Sequence, residues 1–485
     1  LSEIFKYTLD EVRDPKNLTK LISKFKGEPV SRFERLERYY RVKNDIKNRA
    51  EKDGKPNNKL AHGFAKYITK MATGYFMGKG IKYIISDDEQ YKSDFFAIID
   101  DNYTDKTHFK LAKEASKKGV AFELLYIDEK SRLRTEAIDA EEVIPVYSQK
   151  IGEFLECAVR IWDKRGFDDK ITEYAELYTP TEILTYSKPP NVKKYRLDDS
   201  RKHGLADIPI IIYWNNEEQA GDYEDVISLI DAYDTSQSDT ANDSEYFSNA
   251  YFFITGAFGG ITNDGHGGGA DGGDGEDEDT NRAYRTMRRE RVLHIDEKGQ
   301  AGFITKDIND KAEENFKTRL YKDIFFISQV PAMSDETFAG NLSGIAIRYK
   351  FAGLDELTQE KEQNFTSAQK KKIKIITDFI NTKQNKNYEP DAVKIKIEFN
   401  LIENETEIIN NVRSLSGIIS HETMLELLPF IKDVADEVAR IAKERNLDFS
   451  DKLKTKLNPE QLEALEKDLA AFLNSTNEGA FFQQS

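Results

Sequence analysis

Along the first sixty residues, apolar positions recur every three or four places. In "NLTKLISKFKG", Leu18, Leu21, Ile22 and Phe25 fall on one face and Gly27 closes the run, which predicts an amphipathic helix. "PVSRFERLERYYRVKNDI" keeps the same period through Phe33, Leu36, Tyr40 and Ile46, and "KLAHGFAKYITKMATGYF" predicts a third helical stretch. The period then drops to two. "IKYIIS" alternates, and from Gly119 onward so do "VAFELLYID", "EVIPVYS", "FLECAVRIW", "ITEYAELYT", "EILTYS" and "IPIIIYW". Helices beside a run of short strands point to an α+β domain with an antiparallel sheet over residues 1–220.

Helical periodicity returns in "GDYEDVISLIDAYDTSQSDTANDSEYFS", Gly221 to Ser248. Val226, Leu229, Ile230 and Tyr233 gather on one side, and Glu224, Asp225, Asp231, Asp239 and Asp243 on the other. The segment holds eight acids and no Lys or Arg. A solvated helix face is the ordinary reading of one-sided charge, but one without any counter-charge is unusual. "NAYFFITG" reads as a strand. The sixteen residues Asp264 to Asp279 then carry seven glycines and seven acids. They lack the alternating ligands and closing Glu of an EF-hand, so a disordered loop is predicted instead of a calcium site. A basic run follows, with Arg282, Arg285, Arg288, Arg289 and Arg291 able to meet the acidic loop or an acidic partner.

"NDKAEENFKTRLYKDIFFIS" is helical, with Phe316, Leu320, Ile324 and Ile327 on one stripe. A polar connection follows it. From Ser343 to about Lys383 a second helical pattern runs without proline, and Ala352-Gly353 offers a kink point. "VKIKIEFN" predicts one late strand able to join the first sheet. From Glu405 onward the pattern is helical throughout, with Ser420 as an N-cap and a capping box at Asn458, Pro459 and Gln461.

Composition narrows the function. The chain has 485 residues, 39% apolar and 33% charged, and no apolar run approaches the length of a membrane span. The N-terminal stretch is charged and mixed, unlike the apolar core of a secretory signal. Cys157 is the single cysteine, so an internal disulfide is impossible; its alternating surroundings predict a buried small side chain in a protein made in a reducing cytoplasm. The net charge of −16 argues against a surface that grips nucleic acid by its phosphates.

Catalytic signatures are missing from the sequence. "TGYFMGKG" has three residues between Gly74 and Gly78 where a phosphate loop has four, and Gly80 stands where Ser or Thr would bind magnesium; a hairpin-like turn is predicted there. The six histidines show no ligand spacing, and His62 and His108 read as packed or solvated. Asp87-Asp88 and Asp100-Asp101 read as exposed turn material. No metal, cofactor or enzymatic site is expected.

One stretch nevertheless carries a resemblance. "QVPAMSDETFAGNLSGIAIRYKFAGLDELTQEKEQNF" is similar to the portal proteins of long-tailed bacteriophages of Gram-positive hosts. The family pattern is met by Pro331, Asp335, Glu336, Phe338, Gly340, Asn341, Ser343, Gly344, Ala346, Arg348 and Tyr349. "NNKLAHGFAKYITKMATGYFMGKGIKY", "LIDAYDTSQSDTANDSE" and "GIISHETMLELLPFIKDVADEV" resemble further family segments in family order. Two departures stand out: Gly63 replaces a frequent proline, and 264–279 looks like an insertion.

The resemblance implies a mainly helical α+β portal fold. Its parts would be a wing at 1–223, a stem helix at 224–248 and a clip at 249–308. A second stem helix at 309–328, a tunnel loop at 329–342 and a long kinked helix at 343–384 would follow, then a wing return strand in 385–404 and a helical crown at 405–485. It implies a non-enzymatic homo-oligomeric ring, a dodecamer, at the unique capsid vertex of the virion, assembled in the host cytoplasm. Double-stranded DNA would slide through without sequence-specific binding, and the partners would be the terminase large subunit, the head-completion adaptor, and the major capsid and scaffolding proteins. The clip arginines Arg282, Arg285, Arg288, Arg289 and Arg291 would be docking candidates.

In that frame the acidic residues Glu224, Asp225, Asp231, Asp239 and Asp243 would line the channel and repel phosphate. Ser334, Asp335, Glu336, Thr337, Phe338, Ala339, Gly340 and Asn341 would form the DNA-facing tunnel loop, since a twelve-residue connection is long between helices that usually join through about 2–8 residues. The alternative is a static head–tail adaptor or scaffold ring without a translocation role.

Overall fold

The computed structural model describes residues 5–51, 55–85, 88–152, 154–167, 169–248, 251–255, 300–304, 310–333, 344–400, 405–428 and a few positions from there to 444. Local signals start the N-terminal helices. Thr8 and Glu11 form a capping box ahead of the helix Leu9–Arg13. Asp14 caps the next, Pro15–Phe25, whose first residue is the proline that helix starts favour. That helix buries Leu18, Leu21, Ile22 and Phe25, the four positions its periodicity predicts.

The next helix, Glu28–Tyr40, departs from expectation. It turns Tyr39 inward in place of Tyr40, three residues after Leu36. The helix ends at Arg41, Val42 takes a φ of 59°, and Ile46 is buried from a separate turn at Asp45–Asn48.

The period-two region builds two main sheets. One has six strands in the order Phe5–Lys6, Val143–Tyr147, Leu155–Arg165, Ile171–Tyr178, Glu182–Lys188 and Arg196–Lys202. Its first pair is parallel and the others are antiparallel. Cys157, Val159 and Ile161 lie in its core, joined by the apolar face of Pro15–Phe25. Burial pushes the Cys157 thiol up to about 12, so it packs as a small hydrophobe. The other sheet orders Ile210–Trp214, Val120–Ile127 and Leu133–Ile138.

The late strand Lys394–Ile397 pairs antiparallel with Ile81–Ile84 as a separate ladder and does not enter the six-stranded sheet. The hairpin-like turn predicted at 73–80 is instead the end of the helix Phe64–Met77: Gly78 caps it, and Gly80, at φ 73°, turns the chain into Ile81. No phosphate-cradling loop exists there. Asp88, read from sequence as turn material, caps the helix Glu89–Asp101, and Asp100 and Asp101 lie inside that helix.

The helix Gly344–Gln384 spans 41 residues without interruption. From Lys361 onward it is fixed by buried polar contacts. The Lys361 ammonium lies 2.6 Å from Asp222 Oδ1 and 2.6 Å from Asn215 Oδ1. Lys372 lies 2.7 Å from Glu123, which also accepts a 2.7 Å bond from the Tyr213 hydroxyl. Gln369 donates to Tyr213 at 3.0 Å, accepts from Tyr83 at 2.7 Å and sits 2.9 Å from His108 Nε2. Every charge in this cluster is matched, which is the condition for burying it. Burial, helped by the nearby Lys372 charge, pushes the His108 pKa well below its usual value, so His108 is neutral.

The chain divides into two units, Leu1–Ala339 with Tyr349–Asn400, and Gly340–Arg348 with Leu401–Ser485. In the second unit a new helix starts at Ser420, the N-cap its sequence predicts. Helix Glu405–Ser414 gives way to a turn containing Gly417 at φ 86°, and Ser420 caps His421–Glu426 by accepting the Thr423 N–H at 3.1 Å.

Candidate channel elements

The acidic helix forms as Ile227–Ser248, and its charge is not bare. A ladder of contacts joins it to residues 32–62. Arg32 donates to Glu224 from Nε and Nη2 at 2.6 and 2.5 Å. Tyr39 donates to Asp231 at 2.5 Å, and Arg35 lies 3.7 Å from the same carboxylate. Burial raises the Asp231 pKa even though the Tyr39 bond opposes it. Asp234, fully buried, accepts from Asn44 at 2.6 Å and from the His62 N–H at 2.9 Å, with the His62 ring 2.7 Å away. Arg49 reaches Asp239 at 2.6 Å, and Asn58 reaches Glu245 at 2.8 Å.

The counter-charge missing from the local sequence thus comes from a segment about 190 residues earlier, as the 192- and 190-residue separations of the Arg32 and Arg49 contacts show. Asp225 and Asp239 remain exposed. A groove beside the helix is lined by Asp231, Asp239, Asp243, Glu313 and Phe316.

Glu313 and Phe316 belong to the helix Asp310–Ile327, which packs on Phe64 and Tyr67 through Tyr321 and Phe325. Its predicted stripe is rotated. Leu320 and Ile324 are buried with Lys317, whereas Phe316 and Ile327 are 51% and 49% exposed and Phe326 is 82% exposed. The aromatic cluster draws Tyr321 and Phe325 toward Phe64, which turns the neighbouring apolar positions outward.

The polar connection begins at a defined root. Gln329 takes a φ of 57° after the helix, and Val330 is buried. The Tyr67 hydroxyl then donates to Pro331 O at 2.9 Å and accepts the Met333 N–H at 2.9 Å. On the far side, Phe351 stacks on Tyr75 at 5.8 Å, and the Tyr75 hydroxyl donates to Asp355. Between them the long helix presses on the root. A Cβ at Gly353 would stand 3.3 Å from both Cβ and O of Gln329, so Gly353 serves close approach at the site proposed for a kink.

Ser334, Asp335, Glu336, Thr337, Phe338, Ala339, Gly340 and Asn341 lie outside the described residues, as do Arg282, Arg285, Arg288, Arg289, Arg291, the 264–279 segment and the Asn458 capping box. Sequence reasoning missed Tyr67, Tyr75 and the basic side of the ladder. For Tyr67 and Tyr75 the one available signal was their place in the helix that resembles a family segment; Arg32, Arg35 and Arg49 lie outside it. Among the described residues no cluster of His, Cys, Asp or Glu is arranged to hold a metal, and no helix is long and apolar enough to cross a membrane.

Comparison with known proteins gives a consistent set of similarities. The family model described as "Phage portal protein, SPP1 Gp6-like" matches residues 22–448. The portal protein of Bacillus phage SPP1 is 24% identical over 476 residues, covering 92% of this chain and 90% of its own. The portal protein of Clostridium phage phiCD119 is 22% identical over 445 residues, covering 85% and 92%. A chain of the solved "Neck of native GTA particle computed with C12 symmetry" aligns with a TM-score of 0.44 at 11% identity, covering 76% of this chain and 89% of that one.

Proposed function

The chain belongs to the phage portal protein family of the SPP1 Gp6-like type, and from that membership we propose that it forms the ring at the capsid vertex through which double-stranded DNA is packaged and later ejected. The observation that carries this reading is the family match across residues 22–448, which includes the acidic helix, the polar connection and the long helix. The division into wing, stem, clip, tunnel loop, long helix and crown follows the family order. Terminase and then the head-completion adaptor would dock on the clip, with Arg282, Arg285, Arg288, Arg289 and Arg291 as the basic contacts.

Two features support a ring. Phe316, Phe326 and Ile327 leave an apolar strip along one helix, and a neighbouring copy would cover it. The acidic helix would face the channel with a net excess of carboxylates, because Arg32, Arg35 and Arg49 offset only part of its charge. Phosphates passing such a wall find no cation array to neutralise them, so DNA slides without being held. Residues 334–341 would reach the DNA from a root fixed to the protein body.

Electron microscopy of the purified full-length protein tests the ring: turbine-shaped particles of about twelve subunits are expected, and monomers or small collars would overturn it. Deleting residues 335–341 tests the loop. Rings should persist while packaged DNA falls at least tenfold, and normal genome filling would sink the claim.

A further inference from the structure

We propose that Tyr67 is a positioning residue that latches the root of the polar connection, Pro331–Met333, onto the helix Phe64–Met77, and that this helix acts as a crossbar between that root and the long helix at Phe351–Asp355. Three observations lead there. The Tyr67 hydroxyl makes two bonds to the root, donating to Pro331 O at 2.9 Å and accepting from Met333 N at 2.9 Å, so one phenol oxygen serves both a backbone acceptor and a backbone donor. Its ring is held edge-on against Phe325, 5.4 Å away, in the helix that leads into the root. Tyr75, two turns further along the same helix, holds the far side through Phe351 and Asp355. Eight residues at about 1.5 Å each place the two attachment points about 12 Å apart along a rigid element.

The three attachments differ in kind. Gly353 against Gln329 is a steric contact, and Tyr75 combines ring stacking with its hydrogen bond. The Tyr67 latch consists of two hydrogen bonds at a half-buried site. It is therefore the attachment that can open without unfolding its neighbours. Removing one oxygen breaks both bonds and leaves the ring packing intact.

The consequence for DNA handling rests on the reading of 334–341 as the DNA-facing loop; the latch itself does not. The test uses the full-length assembled protein with Tyr67→Phe, and Tyr75→Phe as control. Hydrogen exchange at the Met333 amide reads the latch, thermal unfolding reads the fold, and DNA filling reads the function. We expect Met333 to exchange at least tenfold faster in Tyr67→Phe, with an unfolding midpoint lowered by no more than a few degrees, intact particles and several-fold less packaged DNA, while Tyr75→Phe leaves Met333 protected. Met333 exchange within twofold of the parent would overturn the proposal, as would faster exchange spread over the whole helix Phe64–Met77. Faster Met333 exchange with normal DNA filling would support the latch and overturn the DNA-facing reading instead.

Discussion

The long helix Gly344–Gln384 is held in two contrasting ways. From Lys361 to Thr377 its inward face carries two buried ammonium groups, the Gln369 amide and the Thr377 hydroxyl, matched to Asp222, Glu123, Tyr213, Tyr83 and Tyr91. From Phe351 to Asp355 it is held by ring stacking, one phenol–carboxylate bond and the close approach at Gly353. The difference lies in what a small displacement costs. Moving a buried ion pair apart exposes uncompensated charge to a low-dielectric interior. Shifting a stacked ring or a solvent-reachable hydrogen bond costs far less. The first stretch therefore fixes the helix to the three-stranded sheet, and the second can respond to what happens at the connection.

The largest effect should come from breaking the first stretch. Lys372→Ala strands Glu123, which is 0% exposed, with only the Tyr213 hydroxyl as a nearby donor. A loss of about 3–5 kcal/mol is expected, as for other broken buried pairs. Denaturant unfolding measures it. The double variant Lys372→Met with Glu123→Leu should recover most of that loss, since no charge is then left unmatched. If Lys372→Ala costs under 1 kcal/mol, the contrast between the two stretches fails.

Much of this arrangement could be read from the chain, and the exceptions have physical causes. Leu18, Leu21, Ile22 and Phe25 are buried as their spacing predicts, and the helix 344–384 and the strand 394–397 fall where periodicity puts them. The strand Arg196–Lys202 gives no such signal, because every residue in it is exposed and only its pairing with Glu182–Lys188 makes it a strand. The helices Glu89–Asp101 and Thr104–Lys118 carry weak patterns, the second because it buries Glu114, Lys117 and Lys118 as ion-paired groups. The same cause hides Lys361 and Lys372. In "EKEQNFTSAQKKKIKII" they look like solvated lysines, and the acids that bury them come from Asp222 and Glu123. Local sequence shows periodicity; it does not show a partner 139 or 249 residues away.

An intermediate effect is expected from acid. His108 packs within the Lys372–Glu123–Gln369 cluster, and burial followed by the Lys372 charge lowers its pKa in the folded state. The unfolded chain titrates near 6.5. Below that pH the unfolded state binds a proton that the folded state does not, so stability present above pH 6.5 is lost as pH falls toward the depressed folded value. The slope approaches about 1.4 kcal/mol per pH unit. His108→Gln should remove this component, leaving the carboxylate titrations below pH 5. An unchanged slope between pH 6.5 and 5 in His108→Gln would show that the cluster tolerates a buried positive charge, which would blur its distinction from the looser stretch.

The smallest effect should come from Tyr75→Phe in that looser stretch. The substitution keeps the ring that stacks on Phe351 and lies 5.8 Å from Phe399, and it keeps the backbone carbonyl that accepts from Asn400 at 2.8 Å. The hydroxyl's bond to Asp355 is lost, and Asp355 is partly open to water. Water can take over that carboxylate, so a cost of about 1 kcal/mol is expected, near the usual net value of one hydrogen bond. Denaturant unfolding beside Lys372→Ala makes the comparison direct. A cost of about 3 kcal/mol or more for Tyr75→Phe would mean that both stretches are fixed with similar strength, and the long helix would then behave as one rigid bar from the connection to the sheet.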